Sequence, residues 1–187
     1  GGSVLDLGTS EIDGGDGNFN LSSGCGIITA HAEGLSLAAG TGSIQLTGTQ
    51  TFSSGADYTY NGSAAQLTGN ALPVWPDLIR NLTIDNASGV SMESSVVVSG
   101  TLSLTSGILS LDSESLGIFS GGSITGYSAV NYINAEGTGA LGQEVMGVDK
   151  FFPVGTSTSY LPVTLNNGGV SDYYGVRVFP NVLTAGS

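Results

Sequence analysis

The sequence predicts an all-β protein: a parallel β-helix, a solenoid wound at about 20 residues per coil, followed by a small antiparallel β cap or sandwich. Three observations carry this. Short apolar–polar–apolar pairs recur at Leu82/Ile84, Val90/Met92, Val96/Val98, Leu102/Leu104, Leu109/Leu111 and Leu116/Ile118, the mark of strands with one buried face. The pairs follow one another at short, nearly even intervals, with Gly, Ser, Asn or Asp between most of them. Those are turn residues. Every third pair falls at nearly the same interval: Leu82 to Leu102, Val90 to Leu109, Val96 to Leu116. A three-faced coil of that length stacks like on like, which is how solenoids build a continuous core.

The first half reads as a looser version of the same coil. Its apolar positions are Leu5/Leu7, Ile12, Phe19/Leu21, Ile27, Leu35/Leu37, Ile44/Leu46, Phe52, Tyr58/Tyr60 and Leu67. Three steps here span slightly more chain than downstream, as from Leu5 to Ile27 or Phe19 to Ile44. The expected loops are DGGDGN (Asp13 to Asn18) and NALPVWPDLIR (Asn70 to Arg80). Strands with two inward residues make no stable sheet alone. Stacking supplies the missing backbone partners, and glycine turns corners at little steric cost. An antiparallel sandwich also uses short strands; the repeat favours the solenoid for residues 1–125.

After Gly126 the regular pairs stop and aromatic residues gather. Alternations at 160–165 and 174–178, joined by the turn NNGG, read as antiparallel hairpin strands. Pro153, Pro162 and Pro180 exclude central-strand interiors at those points. Residues 126–187 are therefore expected to form the cap.

Composition narrows the function. Glycine is 31 of 187 residues, charged residues are 10%, and 3 Lys+Arg face 15 Asp+Glu for a net charge of −12. With 40% hydrophobic residues the chain can bury a core, so it is not read as disordered. Three scattered cations, Arg80, Lys150 and Arg177, make no phosphate-binding surface, which excludes nucleic acid. An anionic membrane would repel the chain, and no apolar run is long enough for a membrane span. Cys25 is the one cysteine, read as a small buried hydrophobe. No signal peptide is visible, and the ends, GGSVLDL and NVLTAGS, read as those of a piece of a longer chain.

Two stretches carry a resemblance. VNYINAEGTGALGQEVMGVDKFFPVGTSTSYLPVTL (Val130 to Leu165) is similar to a recurring segment of very long surface proteins of Bacteroidetes-type bacteria. In those, a G-x-L element precedes F-P-V-G-t-s-x-x-Y-x-P-V-T-L. LIRNLTIDNASGV (Leu78 to Val90) resembles the β-helical repeats that come before it. The resemblance covers about half the chain, from Leu78 to Val178. It implies an extracellular, type IX-secreted, repeat-rich adhesin or fibre, and it transfers no catalytic residue. One departure is that Gln143 and Glu144 stand where the family often has a basic residue.

Candidate sites are few. Asp13, Asp16 and Asn18 offer oxygens around flexible glycines, the donor set calcium prefers; the competing reading is a plain acidic turn. Trp75 between two prolines, with Tyr58 and Tyr60, is the candidate sugar-stacking set; the competing reading packs tyrosines into the fold. His31 in ITAHAEG has neither a recognisable nucleophile elbow nor a zinc set beyond Glu33. β-Helix polysaccharide-degrading enzymes need clustered carboxylates, and those of this chain are scattered, although Glu93 and Asp112 are spaced to stack one coil over the other. The short threonine row Thr47 to Thr51 is too little for ice binding. The expectation is therefore a non-catalytic structural or adhesive module of a secreted or cell-surface fibre. No cofactor is expected, with calcium at the acidic turn as the one candidate. The module's expected partners are itself, neighbouring modules or surface glycans. The alternative is a glycan-binding module.

Overall fold

The computed structural model describes residues 2–180 as nineteen strands, with no helix among them. They wind into six coils with three faces. The first face is one parallel sheet. Its members are β1 (Val4–Asp6), β3 (Gly26–Thr29), β5 (Asp57–Tyr60), β7 (Asn81–Asp85), β10 (Thr101–Ser106) and β13 (Ser123–Thr125). The second face holds β6 (Gln66–Leu67), β8 (Val90–Ser91), β11 (Leu109–Ser110), β14 (Ile133–Asn134) and β17 (Val154–Gly155), also parallel. The third face stacks β9 (Val96–Val98), β12 (Leu116–Ile118) and β15 (Leu141–Val145). In the first two coils β2 (Phe19–Leu21) and β4 (Gln50–Phe52) pair in the corresponding place.

The core follows from the pleat. Alternate residues of each strand point inward, and on the first face they meet as Leu5, Ile27, Tyr58, Leu82, Leu102 and Ile124, each beside the next in register. Ile27, Tyr58, Leu82 and Leu102 are buried. The second face adds Val90, Leu109, Ile133 and Val154, and the third adds Val96, Leu116 and Leu141. The three repeats read from sequence, 82/102, 90/109 and 96/116, are direct in-register pairs.

The coil is longer on average than the repeat read from sequence. Averaged up the first face, from Leu5 to Ile124, one turn takes about 24 residues, a usual length for a solenoid repeat. The longest step, from Ile27 to Tyr58, contains an excursion from His31 to Thr49. Leu35 lies there outside any strand, yet it is fully buried. Its N–H donates to Thr68 O at 3.0 Å, and its carbonyl accepts from Ala71 N–H at 3.0 Å. Leu37, expected to pair with it as a strand face, is 52% exposed. The expected step from Phe19 to Ile44 is replaced: Phe19 pairs with Gln50, and Ile44 bridges Ile12. The excursion adds length ahead of Ile44, so simple spacing misassigns its partner.

Parallel pairing also runs past residue 125. Ile133 sits beside Leu109, Leu141 beside Leu116, and Val154 beside Ile133. These steps are longer and less even than those just upstream, which hid them from the shorter repeat. The antiparallel part is real but arranged differently from a hairpin. β16 (Lys150–Phe152) pairs with β18 (Val163–Leu165), whereas β19 (Asp172–Val176) lies antiparallel on β15. The NNGG turn therefore carries the chain from one sheet to another. Asn167 Oδ1 accepts from Gly169 N–H at 3.0 Å and fixes that turn. Residues 181–187 of the expected cap lie outside the described residues.

Candidate functional site

The outward surface of the third face carries a cleft lined by aromatic and polar side chains. Its floor is built from backbone. Val97, Gly117 and Gly142 are outward residues of β9, β12 and β15 and lie side by side in register. A Cβ on Gly117 would come 2.5 Å from the Tyr173 hydroxyl, and one on Gly142 would overlap the same ring. The two glycines thus leave a shallow bed on which Tyr173 lies. Glycine inside a strand often marks such a close approach. Tyr173 reaches it from β19, where it stands opposite Glu144.

The other walls come from elements of different origin. Trp75 is at the tip of the PVWP loop and 66% exposed. Leu72 and Ile79, both buried, pin that loop on either side, and Ile79 bridges Val98 on the third face. The indole is thereby held beside Val97. Phe119, Ser120, Glu144, Ser171, Asp172 and Tyr173 complete a cleft of about 630 Å³, within the usual range for ligand sites. A smaller hollow of about 200 Å³ continues from Trp75 and Tyr173 over Gly117 toward Ser95 and Ser115.

Polar groups converge at one wall. Glu144 accepts a hydrogen bond from the Ser171 hydroxyl, and the Ser120 hydroxyl lies near enough to act on the same carboxylate. These, with the nearby Lys150 charge, hold its carboxyl below the usual range despite some desolvation. Asp172 Oδ1 accepts from Tyr173 N–H at 2.8 Å. Burial against the glycine bed pushes the Tyr173 phenol upward, so it remains a neutral donor. The cleft therefore combines three exposed aromatic rings with ionised and neutral hydrogen-bonding groups.

Of the predicted sugar-stacking set, only Trp75 is at a surface. Tyr58 and Tyr60 are fully buried and cannot stack on a ligand. They are inward rungs of β5, in register with Leu82 and Ile84. Their hydroxyls donate to Ser53 O at 2.6 Å and Thr68 O at 2.8 Å. Burial is the cause that raises both phenols well above their ordinary range. Phe119 and the glycine bed were missed. The available signal was Gly117 and Gly142 at mid-strand positions in LGI and LGQ, where an outward side chain is the norm.

Asp13 and Asp16 are exposed on the DGGDGN loop, but Asn18 is a structural corner: its Oδ1 accepts from Thr49 N–H at 2.7 Å. Gly15 O likewise accepts from Thr47 N–H and hydroxyl at 2.8 and 3.0 Å. Among the described residues no three His, Cys, Asp or Glu side chains gather around one point. His31 Nδ1 accepts from Glu33 N–H, and its Nε2 lies 3.1 Å from Glu11 Oε1. Glu93 and Asp112 follow the paired strands β8 and β11 at equal offset, and both are exposed.

The fold and the cleft define a class: a parallel β-solenoid carrying an aromatic groove on one flat face. Comparison of the chain with family models, with characterised proteins and with solved structures gave no match.

Proposed function

We propose that the chain is a structural and adhesive module of a secreted or cell-surface bacterial fibre. The observation that supports this best is the continuous column of parallel rungs from Leu5 to Ile124. Each coil is tied to the next by backbone hydrogen bonds, and stacked apolar rungs, mostly aliphatic with Tyr58 and Tyr60 among them, fill the interior. Such a body transmits load along its axis and offers little loose backbone to proteases. Partners are neighbouring modules of the same fibre or further copies. Among the described residues the end strands of the first-face sheet, β1 and β13, have one partner each, and strand addition is the general route for such edges. Electron micrographs of the purified chain, with light scattering over a concentration series, test this. Stiff rods that lengthen with concentration support it; a particle that stays globular at every concentration overturns it.

The groove favours a second reading, adhesion through a surface glycan. Aromatic faces stack on the apolar faces of sugar rings, and the carboxylates and hydroxyls accept or donate to ring hydroxyls. A glycan array tests it: binding lost in Trp75→Ala supports a glycan contact, and no binding by the unaltered chain rejects it.

A further inference from the structure

We propose that the groove selects a cationic sugar, a glycan chain bearing free amino groups, which stacks on Trp75 and directs its ammonium to Glu144 and Asp172. This rests on the glycan-binding reading and narrows it to one charge class.

Charge complementarity is the main argument. The cleft is lined by Trp75, Phe119 and Tyr173 together with two carboxylates, and among the described residues no Lys, Arg or His lines it. An ammonium over an aromatic face is attracted by the ring's quadrupole, and tryptophan is the best such face. A carboxylate on the same wall adds a charge-assisted hydrogen bond. The Ser171 hydroxyl holds Glu144 in place, and with Ser120 it favours the ionised form, while the carboxylate keeps further lone pairs for a ligand. Two of the chain's three Lys and Arg residues are occupied elsewhere. Arg80 holds Asp57 through two 2.7 Å contacts, and Arg177 donates to Gly137 O at 2.7 Å. Lys150 lies close enough to act on Glu144 but is not part of the lining. A uronic acid or other anionic glycan would meet two like charges in a chain of net charge −12.

The shape argues for a sugar rather than a bare cation. The hollow over Gly117 extends the cleft along the face, from Trp75 toward Ser95 and Ser115. That is room for a chain of rings, with hydroxyl partners at both ends.

Trp75 is the chain's single tryptophan, so its fluorescence reports this groove directly. The test titrates the whole chain with a β-linked glucosamine hexamer at about pH 5.5, above the ordinary carboxylate range. The N-acetylated hexamer, a uronic acid hexamer and hexalysine are the comparison probes. The glucosamine hexamer is expected to bind roughly tenfold tighter than the N-acetylated one, the scale of one charge-assisted contact, and the uronic acid hexamer not to bind. Glu144→Gln is expected to erase the preference, bringing the glucosamine hexamer down to the affinity of the acetylated one; Asp172→Asn serves if that variant fails to fold. Equal binding of the free and acetylated hexamers by the unaltered chain overturns the cation preference but keeps the glycan reading. Failure of every sugar to bind overturns both. Hexalysine binding as well as the glucosamine hexamer overturns the sugar requirement.

Discussion

The fourth and fifth coils differ from the second and third, and the difference separates support from function. Between β7–β8–β9 and β10–β11–β12 every face repeats at nearly the same interval, with strands joined by tight turns. Between β3 and β5 the step stretches from Ile27 to Tyr58, and the third coil carries the PVWP loop. The register of the inward column nevertheless survives both excursions. Inward aliphatic positions fix which residues stack, because a one-residue slip would expose the whole set. Turn length is free to vary. The regular coils supply the flat bed at Val97 and Gly117, while the irregular parts supply Trp75 and Tyr173.

The strongest test of that distinction asks whether burial or regularity sets stability. Leu102 is in a regular rung and Leu35 in the excursion, yet both are fully buried. Leu102→Ala and Leu35→Ala are each expected to cost about 2–5 kcal/mol in urea unfolding, through lost transfer energy and a residual cavity. Leu37→Ala, at an exposed site close by in the same excursion, is expected to stay within about 0.5 kcal/mol of the unaltered chain. A negligible effect at Leu35 would make the excursion a mere appendage.

A smaller effect is expected at the groove bed. Gly142→Val places a branched side chain where the Tyr173 ring lies. We expect a loss of about 1–3 kcal/mol, typical of forced overpacking. Displacement of the ring from its bed should appear as a shift of the Trp75 emission. Unchanged stability and emission would mean that β19 does not hold Tyr173 against the sheet.

Tyr58→Phe removes only the hydroxyl that donates to Ser53 O. The expected loss is about 0.5–1.5 kcal/mol, the net value of one buried hydrogen bond. The variant also distinguishes the roles predicted for this residue, since ligand binding at the groove should be unaffected.

The smallest effect concerns pH. Desolvation draws the Asp57 carboxyl upward, but hydrogen bonds from Arg80 and Asn81 and the Arg80 charge outweigh it, and the net direction is downward. A carboxyl lowered in the folded state contributes stability above its unfolded value, about 3.9. That contribution is lost as pH falls through the lower folded value. Asp57→Asn should therefore be slightly less stable than the unaltered chain at pH 7, and the gap should narrow as pH falls below the unfolded carboxylate value. A gap that does not change with pH would assign the loss to packing. The pair joins β5 to the residue ahead of β7, so it reports how firmly the third and fourth coils hold together.

Much of this was legible in the residues. The in-register pairs at 82/102, 90/109 and 96/116 follow from short-range periodicity, because adjacent coils of equal length carry matching apolar positions. The partner of Phe19 was not legible, since an insertion of unknown path lies between it and Gln50. Nor was the fate of Tyr58 and Tyr60. An alternation DYTY has the same pattern whichever face turns inward, and the neighbouring leucines in the stacked coil decide it. The groove lay beyond local reading for a related reason: Trp75, Phe119, Glu144 and Tyr173 come from four separate segments of the chain.

By itself the sequence determined that the chain winds, which aliphatic rungs of the regular coils meet, and that its surface is acidic. Those properties depend on local alternation, turn residues and charge counts. Only the tertiary structure decided where the parallel ladder ends, which tyrosines are core, and that two mid-strand glycines bed an aromatic ring opposite Trp75. Those properties depend on the path of the excursions and on the antiparallel return of β19, and contacts between distant segments are fixed only when the coils close.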